Sequence, residues 1–181
     1  MPGMAKPRRT TSGEKGKIMT LTSKERDILN DLKSQEQLCI EKYTKYAEAA
    51  CDAGLKEVFN SIKNAEQTHL QTINRILGGE DVSMPSAPPS AASEKYSGTP
   101  SGCSADAKSM DAYLCRDALS MEKHVSSVYN TGVFEFSSPI LRDTLAHIQK
   151  EEQNHGEKLY SYLAASGMYN NSGCSSGACD I

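Results

Sequence analysis

The sequence predicts an all-α protein, a four-helix bundle made of two helical hairpins joined by a long linker. Three observations lead to this prediction. The chain of 181 residues is large enough for one domain with its own core, and it contains no Trp and only 3 Phe. Apolar residues recur at the three- and four-residue spacing of a helix face in four separate segments. A stretch rich in Pro, Ser, Ala and Gly divides these segments into two pairs.

The first pair of helices is predicted over about residues 22–52 and 55–77. Thr22, with Glu25 three residues later, has the pattern of a capping box and marks the start of the first helix. Gly54 has no Cβ and suits the end of that helix. Because the connection is short, we expect the two helices to form an antiparallel hairpin.

The second pair is predicted over about residues 106–131 and 138–165. Gly132 is the expected stop of the third helix. Ser138 as N-cap, followed by Pro139 as first helical residue, marks the start of the fourth. This short connection predicts a second antiparallel hairpin.

The linker at 80–105 is long enough to join the hairpins by a crossover. A helix of about 25 residues is roughly 37 Å long, and an extended linker of this length can cross that distance. Helices two and three can therefore run parallel. We expect the bundle to occupy residues 21–167, between a disordered basic N-terminal tail (1–20) and a disordered Cys-containing tail (168–181).

Charge and hydropathy argue against several partners. The formal net charge of −3 gives no strong reason to expect nucleic acid or an anionic membrane. No apolar run reaches the length needed to span a bilayer, and the basic N-terminal segment lacks the apolar stretch of a signal peptide. A cytoplasmic location is the resulting prediction.

The 6 Cys, in a chain without an export signal, argue against a structural disulfide framework. We expect three of them to be small buried residues inside helices: Cys39, Cys51 and Cys115. The other three are expected to be exposed thiols in the linker and the C-terminal tail: Cys103, Cys174 and Cys179.

Both halves of the chain carry the same ionisable pattern. Each residue of the pattern has a counterpart 86 positions later, the pairs being Glu36 and Glu122, Tyr43 and Tyr129, Glu66 and Glu152, and His69 and His155. All lie on core-facing seams that are apolar above and below, so the Glu and His residues share roughly one level of the bundle. Four carboxylates there must bind protons, pair with basic residues or bind metal. No Lys or Arg lies on these seams, and two divalent ions would neutralise four carboxylates.

A Glu on one helix and a Glu-x-x-His on the next, given twice, is the ligand set of a di-metal carboxylate bundle. The predicted cofactors are two divalent metal ions, with Fe as first choice and Mn or Zn as alternatives, because all accept oxygen and imidazole ligands. The predicted metal ligands are Glu36, Glu66, His69, Glu122, Glu152 and His155.

The neighbouring polar residues are expected to play smaller parts. Tyr43 and Tyr129 are candidates to hydrogen-bond ligating carboxylates, with ordinary core packing as the alternative. Two further histidines are expected on the surface: His124 and His147. Three acids are candidates for extra acids near the site, with a solvated helix face as the preferred interpretation: Glu41, Glu135 and Glu151.

The run from Glu36 to Glu48, EQLCIEKYTKYAE, together with the two Glu-x-x-His motifs, resembles the ferritin-like superfamily and, within it, rubrerythrin-like domains. The resemblance covers about residues 21–77 and 106–165. It implies a ferritin-like four-helix bundle with redox chemistry on peroxide, O₂ or ferrous iron. By position, the implied terminal ligands are Glu36 and Glu122, the bridging ligands are Glu66 and Glu152, and His69 and His155 each bind one metal ion.

This resemblance leaves open whether the protein is an enzyme, an oxidoreductase of peroxidase or ferroxidase type. Cys174 and Cys179 have the wrong spacing for a rubredoxin-like iron site, so an external electron donor would be needed. An iron-storage cage is a weaker alternative, since the sequence shows no recognisable surface for cage assembly.

More loosely, the chain length, the low aromatic content and the Cys-bearing tail resemble the Coat F group of spore coat proteins. That resemblance implies a structural component deposited on the spore coat, in which the bundle and exposed Cys residues serve assembly. The expected partners are further copies of the chain, as a dimer or a larger homo-oligomer, or a coat assembly.

Overall fold

The computed structural model describes residues 20–82, 96, 98 and 102–169. These residues form four α-helices and no strand: α1 at Ser23–Ala49, α2 at Ala53–Leu77, α3 at Ala105–Glu135 and α4 at Pro139–Ala165. The predicted all-helical class with four helices is confirmed. Most of the predicted tails and linker, with Cys174 and Cys179, lie outside the described residues.

The helix starts follow local capping chemistry. Thr22 and Glu25 form the predicted capping box at the start of α1. Asp52 caps α2 by accepting a hydrogen bond from the backbone N–H of Leu55, and Ser104 caps α3. Pro139 begins α4 as predicted, although the preceding Ser138 makes no side-chain cap hydrogen bond.

Two glycines expected to end helices lie inside them. Gly54 belongs to α2, and a Cβ there would lie 2.5 Å from the Tyr96 hydroxyl, so the glycine leaves room for that ring. Gly132 is buried within α3, where a Cβ would lie 3.2 Å from Leu145 of α4. In both places the missing side chain permits a close approach rather than ending a helix.

The helices pack around one core, with α1 against α2 and α3, and α4 against α3 and α2. Tyr43 on α1 contacts Glu122 on α3, while Tyr129, later on α3, contacts Glu36, earlier on α1. α1 and α3 are therefore antiparallel. Because each hairpin is also antiparallel, α2 and α3 run in the same direction.

Each hairpin turn is fixed by an acid from the other hairpin. Glu25 accepts hydrogen bonds from the backbone N–H of Ser137 at 2.9 Å and from its hydroxyl at 3.0 Å. Asp111 accepts from the backbone N–H groups of Cys51 at 2.7 Å and Asp52 at 2.9 Å. Glu25 and Asp111 are 86 positions apart, as are Cys51 and Ser137. The repeat therefore extends to the ends of the helices.

The prediction for two cysteines is wrong. Cys51 lies in the α1–α2 turn, not inside a helix, and forms a disulfide with Cys103, with Cα atoms 6.1 Å apart. The antiparallel packing of α1 and α3 brings the start of α3, just after Cys103, beside that turn. Cys39 and Cys115 are buried free thiols, as predicted.

None of the described helices combines the length and apolar character needed to cross a membrane.

Candidate metal centre

The six predicted ligands meet at one level of the core, where all are between 0 and 4 % exposed. α1 contributes Glu36 and α3 contributes Glu122. α2 and α4 each contribute a Glu and a His three residues apart, which therefore share one face of their helix. Packing of the four apolar seams is what brings these side chains together.

The six side chains divide into two overlapping groups. Within each group, one ligand atom from every residue lies within 4.8 Å of the others, and Glu66 and Glu152 belong to both groups. The remaining members are Glu36 and His69 in one group and Glu122 and His155 in the other.

Each histidine turns Nδ1 toward three carboxylates. His69 Nδ1 lies 3.1 Å from Glu66 Oε2, 3.0 Å from Glu152 Oε1 and 3.8 Å from Glu36 Oε2. His155 Nδ1 lies 3.1 Å from Glu66 Oε1, 3.5 Å from Glu122 Oε2 and 3.6 Å from Glu152 Oε2. The two imidazole rings stack with their centroids 5.8 Å apart. Two equivalent sets of ligand atoms thus face the same interior space.

Charge in this space must be balanced by protons or cations. Burial raises the pKa of Glu36 well above its ordinary value, and the charges of Glu66 and Glu152 raise it further. Burial likewise raises the pKa of Glu122, although its hydrogen bond with His155 opposes the rise. Four ionised carboxylates are therefore unfavourable here without added positive charge.

The histidines supply part of that charge. Burial acts to lower the pKa of His69 and His155, but hydrogen bonds to the surrounding carboxylates outweigh it and raise the pKa of both rings well above the ordinary value. Burial acts to raise the pKa of Glu66 and Glu152, but hydrogen bonds with the two histidines hold the pKa of both acids below normal. The shared carboxylates are thus the acids of the cluster that stay ionised most readily.

The hydrogen bonds within the protein do not satisfy the cluster. Most of the histidine–carboxylate contacts are close but poorly directed. Among the described residues, every buried side-chain polar atom without a well-directed hydrogen bond belongs to the cluster: Glu36 Oε2, Glu66 Oε1, Glu122 Oε2, Glu152 Oε1 and Oε2, and His155 Nδ1. Unsatisfied buried polar atoms are rare in proteins because each costs about 1–3 kcal/mol. Oxygen and imidazole donors facing one space fit divalent Fe, Mn or Zn.

Two tyrosines connect the hairpins across the cluster. The Tyr43 hydroxyl donates to Glu122 Oε1, and the Tyr129 hydroxyl donates to Glu36 Oε1. Burial and the nearby carboxylates raise the pKa of both phenols well above the ordinary value, so both remain protonated donors. Each tyrosine thus orients a carboxylate of the opposite hairpin, Glu122 or Glu36, that belongs to only one of the two ligand groups. The role of the tyrosines toward a metal stays a prediction.

Glu151 is the one of the three candidate extra acids that contacts a predicted ligand. It was expected on a solvated face, but its side chain is only 35 % exposed and its Oε2 lies 3.0 Å from His69 Nε2. His147, expected on the surface, is partly buried, with Nε2 3.6 Å from the same carboxylate. Glu151 lies on the side of α4 that faces α2, which the seam pattern alone did not reveal. The sequence feature that sets Glu151 apart is a break in the repeat, because its counterpart 86 positions earlier is the non-acidic Ala65.

The remaining polar residues stay away from the cluster. His124 and Glu41 are exposed. Glu135 pairs with Lys24 at the surface.

Two pockets approach the cluster from outside. One, of about 370 Å³, lies between α3 and α4 and is lined by Leu119, Glu122, Lys123, Ser126, Glu152, Gln153 and Gly156. The other, of about 230 Å³, lies between α2 and α4, includes residues on both helices and ends at His69 and Glu151.

Fold and site together define an all-helical protein with a buried carboxylate–histidine cluster. Residues 110–172 match the Coat F domain family, over a range that includes most of α3 and all of α4. The matched range contains Glu122, Glu152 and His155, whereas the ligands on α1 and α2 lie outside it. No curated protein and no solved structure matches the chain. Over its second hairpin, the chain is therefore similar to Coat F domains.

Proposed function

We propose that the protein binds two divalent metal ions at the centre of a ferritin-like four-helix bundle. The observation that carries this proposal is the set of six buried polar atoms without a well-directed hydrogen bond, which four Glu side chains and His155 supply, beside a second histidine, His69, in the same cluster. Replacing the protons of such a cluster by cations would satisfy these atoms and neutralise the carboxylates. If the cluster served only to pack the core, these polar atoms would stay unsatisfied and the carboxylates would stay uncompensated.

The overlap of the two atom groups supports one division of ligand roles. Glu36 and His69 would hold one ion and Glu122 and His155 the other, while Glu66 and Glu152, which belong to both groups, would be shared. Fe or Mn bound here would supply redox chemistry toward O₂, peroxide or ferrous iron. The chain itself buries the ligands, holds a protonated phenol against Glu36 and another against Glu122, and positions His69 through Glu151.

The direct test is the metal content of the purified protein, measured by elemental analysis. We expect about two ions per chain in the wild type, as the ligand set of a dinuclear bundle requires. The Glu66→Ala/Glu152→Ala variant should lose both, because it removes the shared ligands. Glu41→Ala changes an exposed acid on α1 and serves as the control, with metal content unchanged. A folded wild type that takes up no Fe(II), Mn(II) or Zn(II) would overturn the proposal.

A second role, as a structural component of the spore coat, is supported by the Coat F match to residues 110–172. The family match supports coat assembly more directly than catalytic turnover, because it carries no information about the chemistry of the cluster. In this role, metal ions would stabilise the fold, and the chain would associate with further copies of itself or with other coat proteins.

One pair of assays separates the two roles. Peroxide turnover and ferrous oxidation are measured on the metal-loaded protein, and incorporation into coat is measured for the Glu66→Ala/Glu152→Ala variant. Turnover in the wild type, with normal incorporation of the variant, supports an oxidoreductase located at the coat. Loss of incorporation with no turnover in the wild type supports a structural metal site.

A further inference from the structure

The pocket between α3 and α4 reaches the cluster through the second hairpin. Its inner wall includes Glu122 and Glu152, which belong to the same group of ligand atoms as His155. Two small residues, Ser126 and Gly156, leave the space in front of these carboxylates open. A Cβ at position 156 would lie 3.6 Å from Leu119 Cδ1, an ordinary contact, so a larger side chain would extend into the pocket.

The corresponding side of the first hairpin is built differently. The positions 86 residues earlier than Ser126 and Gly156 hold Ile40 and Leu70, both partly buried. These branched four-carbon side chains are larger than the hydroxymethyl group and the hydrogen atom at the corresponding positions of α3 and α4. The first hairpin therefore places more side-chain bulk beside Glu36 than the second hairpin places beside Glu122.

The pocket also carries a different charge at its rim. Lys123 lines the α3–α4 pocket, whereas the equivalent residue on α1 is the neutral Gln37. A cation on the pocket wall favours the approach of a small anion toward metal ions held by the two carboxylates of the inner wall.

The second pocket does not offer the same access. It ends at His69, where Glu151 lies against Nε2, the ring nitrogen that faces away from the other carboxylates. A molecule entering there meets the back of the imidazole and not the space between the carboxylates.

We propose that the two metal positions are inequivalent, and that a small anionic ligand enters between α3 and α4 to bind at the Glu122–His155 position. This inference rests on the proposed metal binding. The Glu36–His69 position is closed to such a ligand by Ile40 and Leu70. A pocket of about 370 Å³ accepts molecules up to the size of a small organic anion.

The repeat supplies the test, because each hairpin provides the substitutions for the other. Ser126→Ile/Gly156→Leu places the side chains of the first hairpin in the α3–α4 pocket. Ile40→Ser/Leu70→Ala opens the equivalent position between α1 and α2 and is the matched control. Each protein is loaded with Co(II), its metal content is measured, and azide is titrated while the visible absorption of the bound Co(II) is followed.

With two ions per chain retained, the blocked variant should bind azide at least about tenfold more weakly than the wild type. The control variant should bind it at least as well as the wild type. Unchanged azide affinity in a blocked variant that holds both ions would overturn the inference while leaving metal binding intact. A wild type without bound metal would instead overturn the proposed function.

A variant that fails to fold is recognised by loss of helical circular dichroism. In that case Gly156→Ala/Ser126→Val repeats the test with smaller side chains. An azide affinity equal to that of the wild type in this second variant, with both ions bound, also contradicts the inference.

Discussion

The two hairpins supply the same ligands but surround them differently. One turn from its ligands, the first hairpin places the larger, partly buried side chains of Ile40 and Leu70. Around Glu122, the second hairpin places small residues that open a pocket to solvent. The repeat is kept where side chains face the centre and departs where they face outward. This difference indicates that charge balance determines the central residues, while residues one turn away decide how each half meets solvent.

The strongest test of this comparison is to remove the ions that would join the hairpins. When the free ion concentration is about 1,000 times Kd, ion binding to the folded state of a two-state protein raises its free energy of unfolding by about 4 kcal/mol for each site. We therefore expect a chelator to lower the free energy of unfolding by at least several kcal/mol. Urea unfolding followed by circular dichroism, with and without chelator, measures the effect.

Hydrogen exchange locates that loss within the molecule. Backbone amides that are hydrogen-bonded across the two hairpins should lose protection from exchange before amides that are hydrogen-bonded within one hairpin. The reason is that the shared ligands Glu66 and Glu152 lie on different hairpins. The Glu66→Ala/Glu152→Ala variant is the control and should not respond to chelator. Equal stability of the wild type with and without chelator would show that metal ions do not help to hold the hairpins together.

The disulfide is a second difference between the hairpins. Cys51 in the first turn is bonded to Cys103, 52 residues later, whereas the equivalent turn residue in the second hairpin is Ser137. Closing a loop of this length stabilises a fold by about 4 kcal/mol in the chain-entropy model. Dithiothreitol should lower the free energy of unfolding by up to that amount.

Cys51→Ser/Cys103→Ser is the control for this measurement. It should unfold like the reduced wild type and should not respond to dithiothreitol. A wild type whose stability is unaffected by complete reduction, verified by thiol titration, would contradict the prediction.

The turns are where the hairpins are most alike, and a smaller effect is expected there. Burial opposes ionisation of Glu25, but hydrogen bonds from Ser137 and Thr22 outweigh it and lower its pKa from 4.5 to about 2. A lowered pKa in the folded state gives stability that is complete above about pH 4.5 and is lost as the pH falls through about 2.

Glu25→Gln should therefore destabilise the protein at pH 7 by about 1.5–3 kcal/mol, the usual range for a hydrogen bond to a charged group. It should also flatten the decline in stability between pH 4.5 and 2. Urea unfolding across this pH range measures both. Asp111→Asn tests the equivalent contact on the other turn, and a loss at only one of the two positions would show that the turns are not equivalent in energy.

Much of the centre could be predicted from the sequence, because helical spacing and a constant repeat act together there. An ionisable residue on an apolar seam must face the core, so the convergence of Glu36, Glu66 and their partners follows from helix geometry. The same spacing makes Tyr43 and Tyr129 candidates to hydrogen-bond carboxylates, with core packing as the alternative. The structure adds that each reaches across to the other hairpin.

Contacts that depend on how whole helices are placed could not be predicted. The Cys51–Cys103 bond requires that α1 and α3 be antiparallel neighbours, which no local pattern specifies. Gly132 looked like a helix stop because its contact with Leu145 arises only after α3 and α4 pack. Glu25 was already explained by the capping box, so its second role at Ser137 gave no separate signal.

The smallest expected effect concerns Glu151, the residue that distinguishes the two histidines. A carboxylate hydrogen-bonded to the far nitrogen of a ligating histidine fixes the ring and raises its basicity, and its loss typically weakens metal binding about 10- to 100-fold. Ala65, the counterpart of Glu151, offers no carboxylate to His155. Glu151→Ala should therefore weaken one of two stepwise metal-binding constants and leave the other unchanged, as measured by competition with a chromophoric chelator. Ala65→Glu should strengthen the second constant, since it places an acid at the equivalent position behind His155.

Unfolding of both variants in the presence of chelator provides the control, because a purely structural role for Glu151 would alter stability without metal. Equal shifts in both constants for Glu151→Ala would mean that the two positions are coupled through Glu66 and Glu152 more strongly than their surroundings separate them.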